Sequence, residues 1–355
     1  MTITERIAAE LKDNSHAAML TSPVSRQYST GFRSSAGVVF ITKEKSYFLI
    51  DARYFDHASQ QAQGVEVQLL TDTRRQLYSI IEEHGIKVIS IESKFVTVNE
   101  LNDYRKLFGT LEVDDSDWLS NTVERMRLIK SEEEIQKVEA AQRIAEAAFS
   151  KLLGQLRVGM TEKQVASVLD FFMMDMGADG ISFDTIAASG INSACPHAVP
   201  TEKQLQKGEF LTLDFGAVVD GYHSDMTRTV VIGEADKDMK HVYDAVYSAN
   251  TDALKAVRAD ITGKVVDSVA RTTLSAWGYE EYFTHGLGHG VGLEIHEAPT
   301  VSSKSPYTLH EGMIITIEPG VYIPGKYGVR IEDMVVVTAD GFRPLTNARK
   351  TLVKI

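Results

Sequence analysis

Between residues 37 and 108, short apolar runs alternate with amphipathic stretches. Residues 37–42, 46–50, 65–70 and 86–91 carry the β-branched and aromatic side chains of strands, whereas 54–62, 74–84 and 98–108 show helical spacing. At the N-terminus, residues 1–14 read as an amphipathic helix with Ile3, Ile7, Ala8 and Leu11 on one face. Such alternation predicts an α/β layer domain over residues 1–122, closed by a polar, acidic linker at 114–122.

The pattern then changes. Ser131 with Glu134 makes a capping box ahead of an apolar stripe at Ile135, Val138, Ile144, Ala148 and Leu152. Thr161 with Gln164 repeats the signal before Val165, Val168, Leu169 and Phe172. Residues 237–257 and 264–276 are two further helical stretches. Between and after them lie strand pairs, so residues 123–355 predict an α+β domain of helices interleaved with antiparallel hairpins.

Those strands carry the chemistry. In residues 209–231, Leu211, Leu213 and Phe215 alternate with Thr212, Asp214 and Gly216, and Asp220-Gly221 is a strong hairpin signal. A two-residue turn pairs Val219 with Tyr222. It thereby sets Asp214 opposite Thr227 and Asp225 opposite Gly216, making the aspartates diagonal neighbours on one face. Residues 285–296 hold His285, His289 and His296 among glycines at 286, 288, 290 and 292, which predicts a tight loop that can approach a metal or substrate closely. Residues 313–319 form a strand bearing Glu318, and 329–338 a second apolar strand bearing Arg330 and Glu332. A glutamate in an apolar strand is costly unless paired or metal-bound. His197 lies in a proline-bounded loop beside Cys195, which reads as a small buried residue.

Asp214, Asp225, His289, Glu318 and Glu332 thus offer four carboxylates and one imidazole. That set suffices for two divalent cations and predicts hydrolysis at a two-metal centre. Carboxylate-rich ligation with a single imidazole favours manganese, with zinc or cobalt as alternatives. The composition narrows the rest. In 355 residues the net charge is −12, which disfavours nucleic acid as a partner. One cysteine excludes an internal disulfide framework and fits a cytoplasmic location. There is no apolar run of bilayer length and no glycine-rich nucleotide motif.

The segments LDFG (213–216), SDMTRT (224–229), HGLGHGVGLEIHE (285–297), ITIEPGVY (315–322) and GVRIEDMV (328–335) resemble the pita-bread metallopeptidases, which include methionine aminopeptidase, aminopeptidase P and prolidase. YSTGFRSSAG (28–37) and DARY (51–54) resemble the creatinase-type N-terminal domain of the same family. The resemblance implies that Asp214 chelates one metal, that His289 and Glu318 hold the other, and that Asp225 and Glu332 bridge. It implies substrate-site roles for His197, His285 and His296, with Glu318 as the catalytic acid–base. Arg330 would orient Glu332 or a substrate carbonyl. The implied activity is release of the first residue from peptides with proline second, by a homodimer; Xaa-Pro dipeptidase is the alternative, and a binding module on the same fold a remote one. Two departures separate the chain from dipeptidase patterns. Residues 33–37 lack a Pro-His-Glu-Arg stretch, and Thr300 stands where some dipeptidases place arginine. Arg330, Arg33 or Arg53 could still supply a cation for a dipeptide carboxylate.

Overall fold

The computed structural model describes residues 1–355, which divide into two compact units, Met1–Arg127 and Leu128–Ile355. In the first, β1 (His16–Leu20), β2 (Val38–Ile41), β3 (Ser46–Ile50), β4 (Glu66–Leu69), β5 (Val88–Ile91) and β6 (Glu112–Asp114) form a mixed sheet in the order β4-β3-β2-β1-β5-β6. Helix α1 (Ile3–Glu10) precedes the sheet, and α2 (Pro23–Thr30), α3 (Phe55–Gln61), α4 (Thr73–His84) and α5 (Val98–Phe108) connect its strands. Leu77, Ile80 and Phe108 pack with Met19, Phe40 and Ile89 in its core. The expected α/β layer is present, but the pattern did not show its central strand. β1 reads HAAML, is buried along nearly its whole length, and so has neither alternation nor β-branched residues.

Residues 114–122 are not a linker. Asp114 closes β6, and α6 (Trp118–Leu128) begins within the segment. Leu119, Val123 and Met126 form its buried face, while the acidic residues that suggested a linker precede the helix N-terminus, where negative charge is favourable.

The second unit contains α7 (Glu132–Leu153), α8 (Glu162–Asp175), β7 (Gly180–Ile181), β8 (Ile186–Ser189), β9 (Glu209–Phe215), β10 (Ala217–Val219), β11 (Tyr222–His223) and β12 (Met226–Ile232). Then follow α9 (Lys237–Ala256), α10 (Gly263–Ala276), β13 (Gly288–Gly290), β14 (Glu297–Val301), β15 (Ile314–Ile317), β16 (Gly320–Ile323), β17 (Tyr327–Arg330), β18 (Asp333–Val337) and β19 (Phe342–Pro344). Both capping boxes expected at Ser131 and Thr161 are formed. Ala145, Phe149, Val165 and Leu169 of α7 and α8 pack on Leu211, Leu213 and Phe215 of β9. Val242, Val246, Ala270 and Leu274 of α9 and α10 pack on Ile315, Ile317 and Val335 of β15 and β18. Each helix pair therefore covers one hairpin.

The first hairpin has the register expected from its Asp-Gly turn. Asp220 and Gly221 both have positive φ, 50° and 79°, and Val219 pairs with Tyr222 while Asp214 pairs with Thr227. The ladder is interrupted at Gly216, where a Cβ would lie 1.9 Å from the Ser224 carbonyl oxygen. The second hairpin differs from expectation. Residues 329–338 are two strands: β17 pairs with β16, and β18 with β15. The pairs Ile317–Asp333 and Gly320–Arg330 on either side of the break share one register, which puts Glu318 opposite Glu332. At the break each glutamate N–H turns to another strand, Glu318 to the Leu287 carbonyl at 2.8 Å and Glu332 to the Thr227 carbonyl at 3.1 Å.

The glycine-rich segment is also not simply a loop. Its middle is β13, held between β14 and β15. None of Gly286, Gly288, Gly290 and Gly292 has positive φ. Their use is close approach: a Cβ on Gly288 would lie 2.0 Å from the Thr316 carbonyl oxygen, and one on Gly290 2.3 Å from that of Ala298.

Candidate metal centre

Asp214, Asp225, His289, Glu318 and Glu332 converge on one cleft of about 420 Å³, together with His197, His285, His296 and Arg330. Asp214 sits near the end of β9, and Asp225 follows the hairpin turn, both across the interruption at Gly216. His289 is the centre of β13, and the two glutamates stand at the break in the second hairpin. The first shared feature is thus mechanical: each ladder opens where its carboxylates must turn inward.

Oxygen and nitrogen atoms of Asp225, His289 and Glu332 lie within 4.8 Å of one another. His289 Nε2 is 3.5 Å from both Asp225 Oδ2 and Glu318 Oε1. Its Nδ1 lies 3.0 Å from the Gly290 carbonyl, which only a protonated Nδ1 can satisfy, so Nε2 presents a lone pair to the cluster. Burial pushes the imidazole down to about 4, keeping it neutral.

The carboxylates are electrostatically unsatisfied. Burial, then Glu332, Asp214 and Glu318, push Asp225 well above the usual carboxylate range. Burial, followed by Glu318 and Asp214, does the same to Glu332, and Glu318 is pushed up to about 8 by burial and by Asp214 against the opposing pull of Arg330. Asp214 Oδ1 is buried with no hydrogen-bond partner. An orphan carboxylate oxygen, a free imidazole lone pair and mutually repelling acids together make a donor set that fits divalent cations.

Arg330 was expected to orient Glu332 or a substrate carbonyl, and its contacts lie mostly with other groups. It is not hydrogen-bonded to Glu332. Nη2 pairs with Asp214 Oδ2 at 2.7 Å, Nη1 donates to Tyr322 Oη at 2.8 Å and to the Pro196 carbonyl at 3.2 Å, and Nε donates to Thr227 Oγ1 at 3.0 Å. Thr227 in turn donates to Glu332 Oε2 at 2.8 Å, so the arginine reaches Glu332 only through the threonine. Burial opposes its charge, but Tyr322, Asp214 and Glu318 outweigh it and hold the guanidinium protonated.

His285 Nδ1 donates to the Gly286 carbonyl at 2.7 Å, leaving Nε2 to accept from Tyr322 Oη at 3.0 Å. Burial, then Arg330, lower this imidazole to about 4, so it too is neutral. Tyr322, fully engaged between Arg330 and His285, was not singled out by sequence. It follows Glu318 in the same motif, but a tyrosine in an apolar strand carries no mark of its partners. His296 and His197 are exposed on the cleft wall, with the His296 ring 4.3 Å from that of His289. Phe183, Ile186, Pro196 and Ile295 supply apolar lining. Cys195, read as buried, is exposed, because it follows a short 3-10 turn (Gly190–Ala194) into the loop rather than into the core.

An antiparallel two-hairpin unit with paired acids, a neutral imidazole and a polarised cleft defines a metal-dependent hydrolase. The chain belongs to metallopeptidase family M24, whose model matches residues 136–339, and the Creatinase/Prolidase N-terminal domain matches residues 4–129. It is 39% identical over 343 residues to an uncharacterized peptidase of Bacillus subtilis, covering 94% of each chain. Among solved structures it is similar to an Xaa-Pro dipeptidase from Bacillus anthracis, with 38% identity and a TM-score of 0.95 over 99% of both chains. It is also similar to an X-Pro aminopeptidase from Thermotoga maritima, with 35% identity and a TM-score of 0.93 over 99% of both chains. The fold is accordingly a creatinase-type N-terminal domain followed by a pita-bread domain, and the protein is a prolidase-like peptidase of this family. Divalent metal ions go with the family, and the cluster above is their candidate site. No helix is long and apolar enough to cross a membrane.

Proposed function

We propose that the protein is a two-metal Xaa-Pro aminopeptidase, with Asp214, Asp225, His289, Glu318 and Glu332 holding the cations and manganese as the first choice. The observation that carries the reading is the convergence of these five donors, one carboxylate oxygen of them orphaned, in a cleft lined by three further histidines. When bound, the cations would polarise the scissile carbonyl and lower the pKa of an attacking water. Glu318 accepts that water's proton and passes it to the proline nitrogen as the bond breaks. His296 stands over the cleft beside His289 and donates a hydrogen bond to the developing oxyanion. His197 and the neutral His285, with Phe183, Ile186 and Ile295, shape a pocket for the proline ring. An imide nitrogen has no hydrogen to offer an extended-strand contact, so shape replaces it. Purified protein loaded with manganese should cleave Xaa-Pro peptides, and failure to do so with manganese, cobalt or zinc would reject the assignment.

Aminopeptidase is preferred to dipeptidase for one reason. A dipeptidase must hold a free carboxylate directly after proline, which calls for a cation. Arg330 is the only lysine or arginine lining the cleft, and four hydrogen bonds already engage it. Ala-Pro-Ala should therefore be cleaved with higher kcat/KM than Ala-Pro. The similarity to an Xaa-Pro dipeptidase supports the second reading, and a clear preference for the dipeptide would select it while leaving the metal chemistry in place. A homodimer in the cytoplasm completes the proposal; sedimentation as a 39.3 kDa species would remove the dimer.

A further inference from the structure

Helix α9 has an apolar face made of Met239, Val242, Val246, Ala249, Ala253 and Leu254, and in the middle of it stands Asn250, with no exposed surface. A primary amide is costly in such a place unless its hydrogen bonds are met. Here they are met at informative atoms. Asn250 Nδ2 donates to the Ile317 carbonyl at 2.9 Å and to the Ile331 carbonyl at 3.3 Å. Ile317 immediately precedes Glu318, and Ile331 immediately precedes Glu332. These two carbonyls lie where the β15–β18 ladder stops, and the break is crossed by a long backbone bond from the Ile331 N–H to the Pro319 carbonyl at 3.4 Å.

The amide is itself oriented. Lys350 Nζ donates to Asn250 Oδ1 at 3.0 Å and to Asp333 Oδ2 at 2.8 Å. Asp333 Oδ1 accepts from Arg228 Nη2 at 2.8 Å, and Arg228 Nη1 donates to the Glu332 carbonyl at 2.6 Å. With Lys350 on the oxygen, the nitrogen must face the two carbonyls. We propose that Asn250 is a positioning residue for the metal centre, clamping the backbone just before Glu318 and Glu332 so that two opposed carboxylates keep the spacing that cations require. It touches neither substrate nor metal. Residues one step behind metal ligands commonly set affinity by about 10–100-fold.

The inference rests on the metal-centre reading, and the test separates the two. Manganese binding to the full-length protein is followed by loss of the free-ion EPR signal, alongside thermal melting. Asn250→Ala should bind manganese about 10–100-fold more weakly than wild type. Asn250→Asp retains the shape and the Lys350 contact but loses the donors; it carries the same expectation and decides the matter if the alanine variant does not fold. Val242→Ala removes buried volume from the same helix face and, since valine has no polar side-chain atom, takes no hydrogen bond from either carbonyl. It should lower the melting temperature and leave affinity within about twofold. Affinity within about twofold of wild type in a folded Asn250 variant, or an equal loss in Val242→Ala, overturns the proposal. A wild-type protein that binds none of manganese, cobalt and zinc, the latter two read by competition and by metal analysis, overturns the metal-centre reading, and this one with it.

Discussion

The two hairpins of the second unit solve one problem in two ways. In the first, Asp214 faces Thr227 and Asp225 falls beside Gly216, so the acids are diagonal and Asp214 is compensated by Arg330 at 2.7 Å. In the second, Glu318 and Glu332 stand opposite each other across an interrupted ladder, and no lysine or arginine pairs with either. Like charges placed directly opposite destabilise a strand pair, and burial enlarges the effect. If the proposed metal centre is right, the second hairpin is the one whose geometry depends most on cations and on the Asn250 clamp. Diagonal placement with an arginine compensates Asp214, while Asp225 stays raised by burial and by Glu332; direct opposition leaves both glutamates of the second hairpin under electrostatic tension.

The largest test of that contrast is activity. Glu318→Ala removes a proposed ligand and the proposed proton carrier together and should reduce kcat at saturating manganese by at least about 10⁴-fold. Asp214→Ala, which loses a ligand already neutralised by Arg330, should cost less, about 10²–10³-fold. An equal or larger loss in Asp214→Ala would break the asymmetry. His296→Ala should lower kcat by about 10²–10³-fold with manganese affinity unchanged, as expected for one oxyanion donor, and wild-type turnover would reject that role.

The scaffold itself can be attacked at the first hairpin. A Cβ at Gly216 would lie 1.9 Å from a backbone oxygen, so Gly216→Ala should destabilise by about 2–3 kcal/mol, read as a fall in melting temperature. Normal melting would show that the interruption yields freely.

The smallest effect is graded with pH. In the metal-free protein Asp225, Glu318 and Glu332 hold their protons above the usual carboxylate range, Glu318 up to about 8. Through these carboxyls the folded state binds more protons than the unfolded chain, so their contribution is full below about pH 4 and, for Glu318, is lost as pH rises toward 8. His285 and His289, lowered to about 4, act in the opposite sense between about pH 4 and 6.5. Glu332→Gln should flatten that slope, and so should manganese. A metal-free melting temperature that rises from about pH 7 to 8, above the range in which the histidines contribute, would contradict the tension assigned to the second hairpin.

Much of the site was legible because strand periodicity and turn chemistry are local. Asp220-Gly221 alone sets the register that puts Asp214 opposite Thr227, and the order of five candidate ligands marks the cleft into which all of them fall. Local pattern also misled. The glycines of 285–296 suggested turn conformations, whereas two of them serve a neighbouring backbone some thirty or fewer residues away in sequence, at Thr316 and Ala298. Residues 329–338 looked like one strand because apolar alternation does not reveal that the chain changes partner at Ile331. Asn250 occupies a position in an apolar helical stripe, which shows that something polar is buried but not what it holds.

The sequence by itself determined the helices of the catalytic half, the register of its first hairpin and the candidate donor residues, since each depends on residues close together in the chain. Only the tertiary structure decided which groups those donors meet. Arg330 pairs with Asp214 rather than Glu332, Tyr322 links it to His285, and Asn250 joins the carbonyls before two glutamates. Each of these contacts closes over 8 to 116 residues. The energy of a buried charge or amide is set by such partners at atomic range, and no local periodicity encodes them.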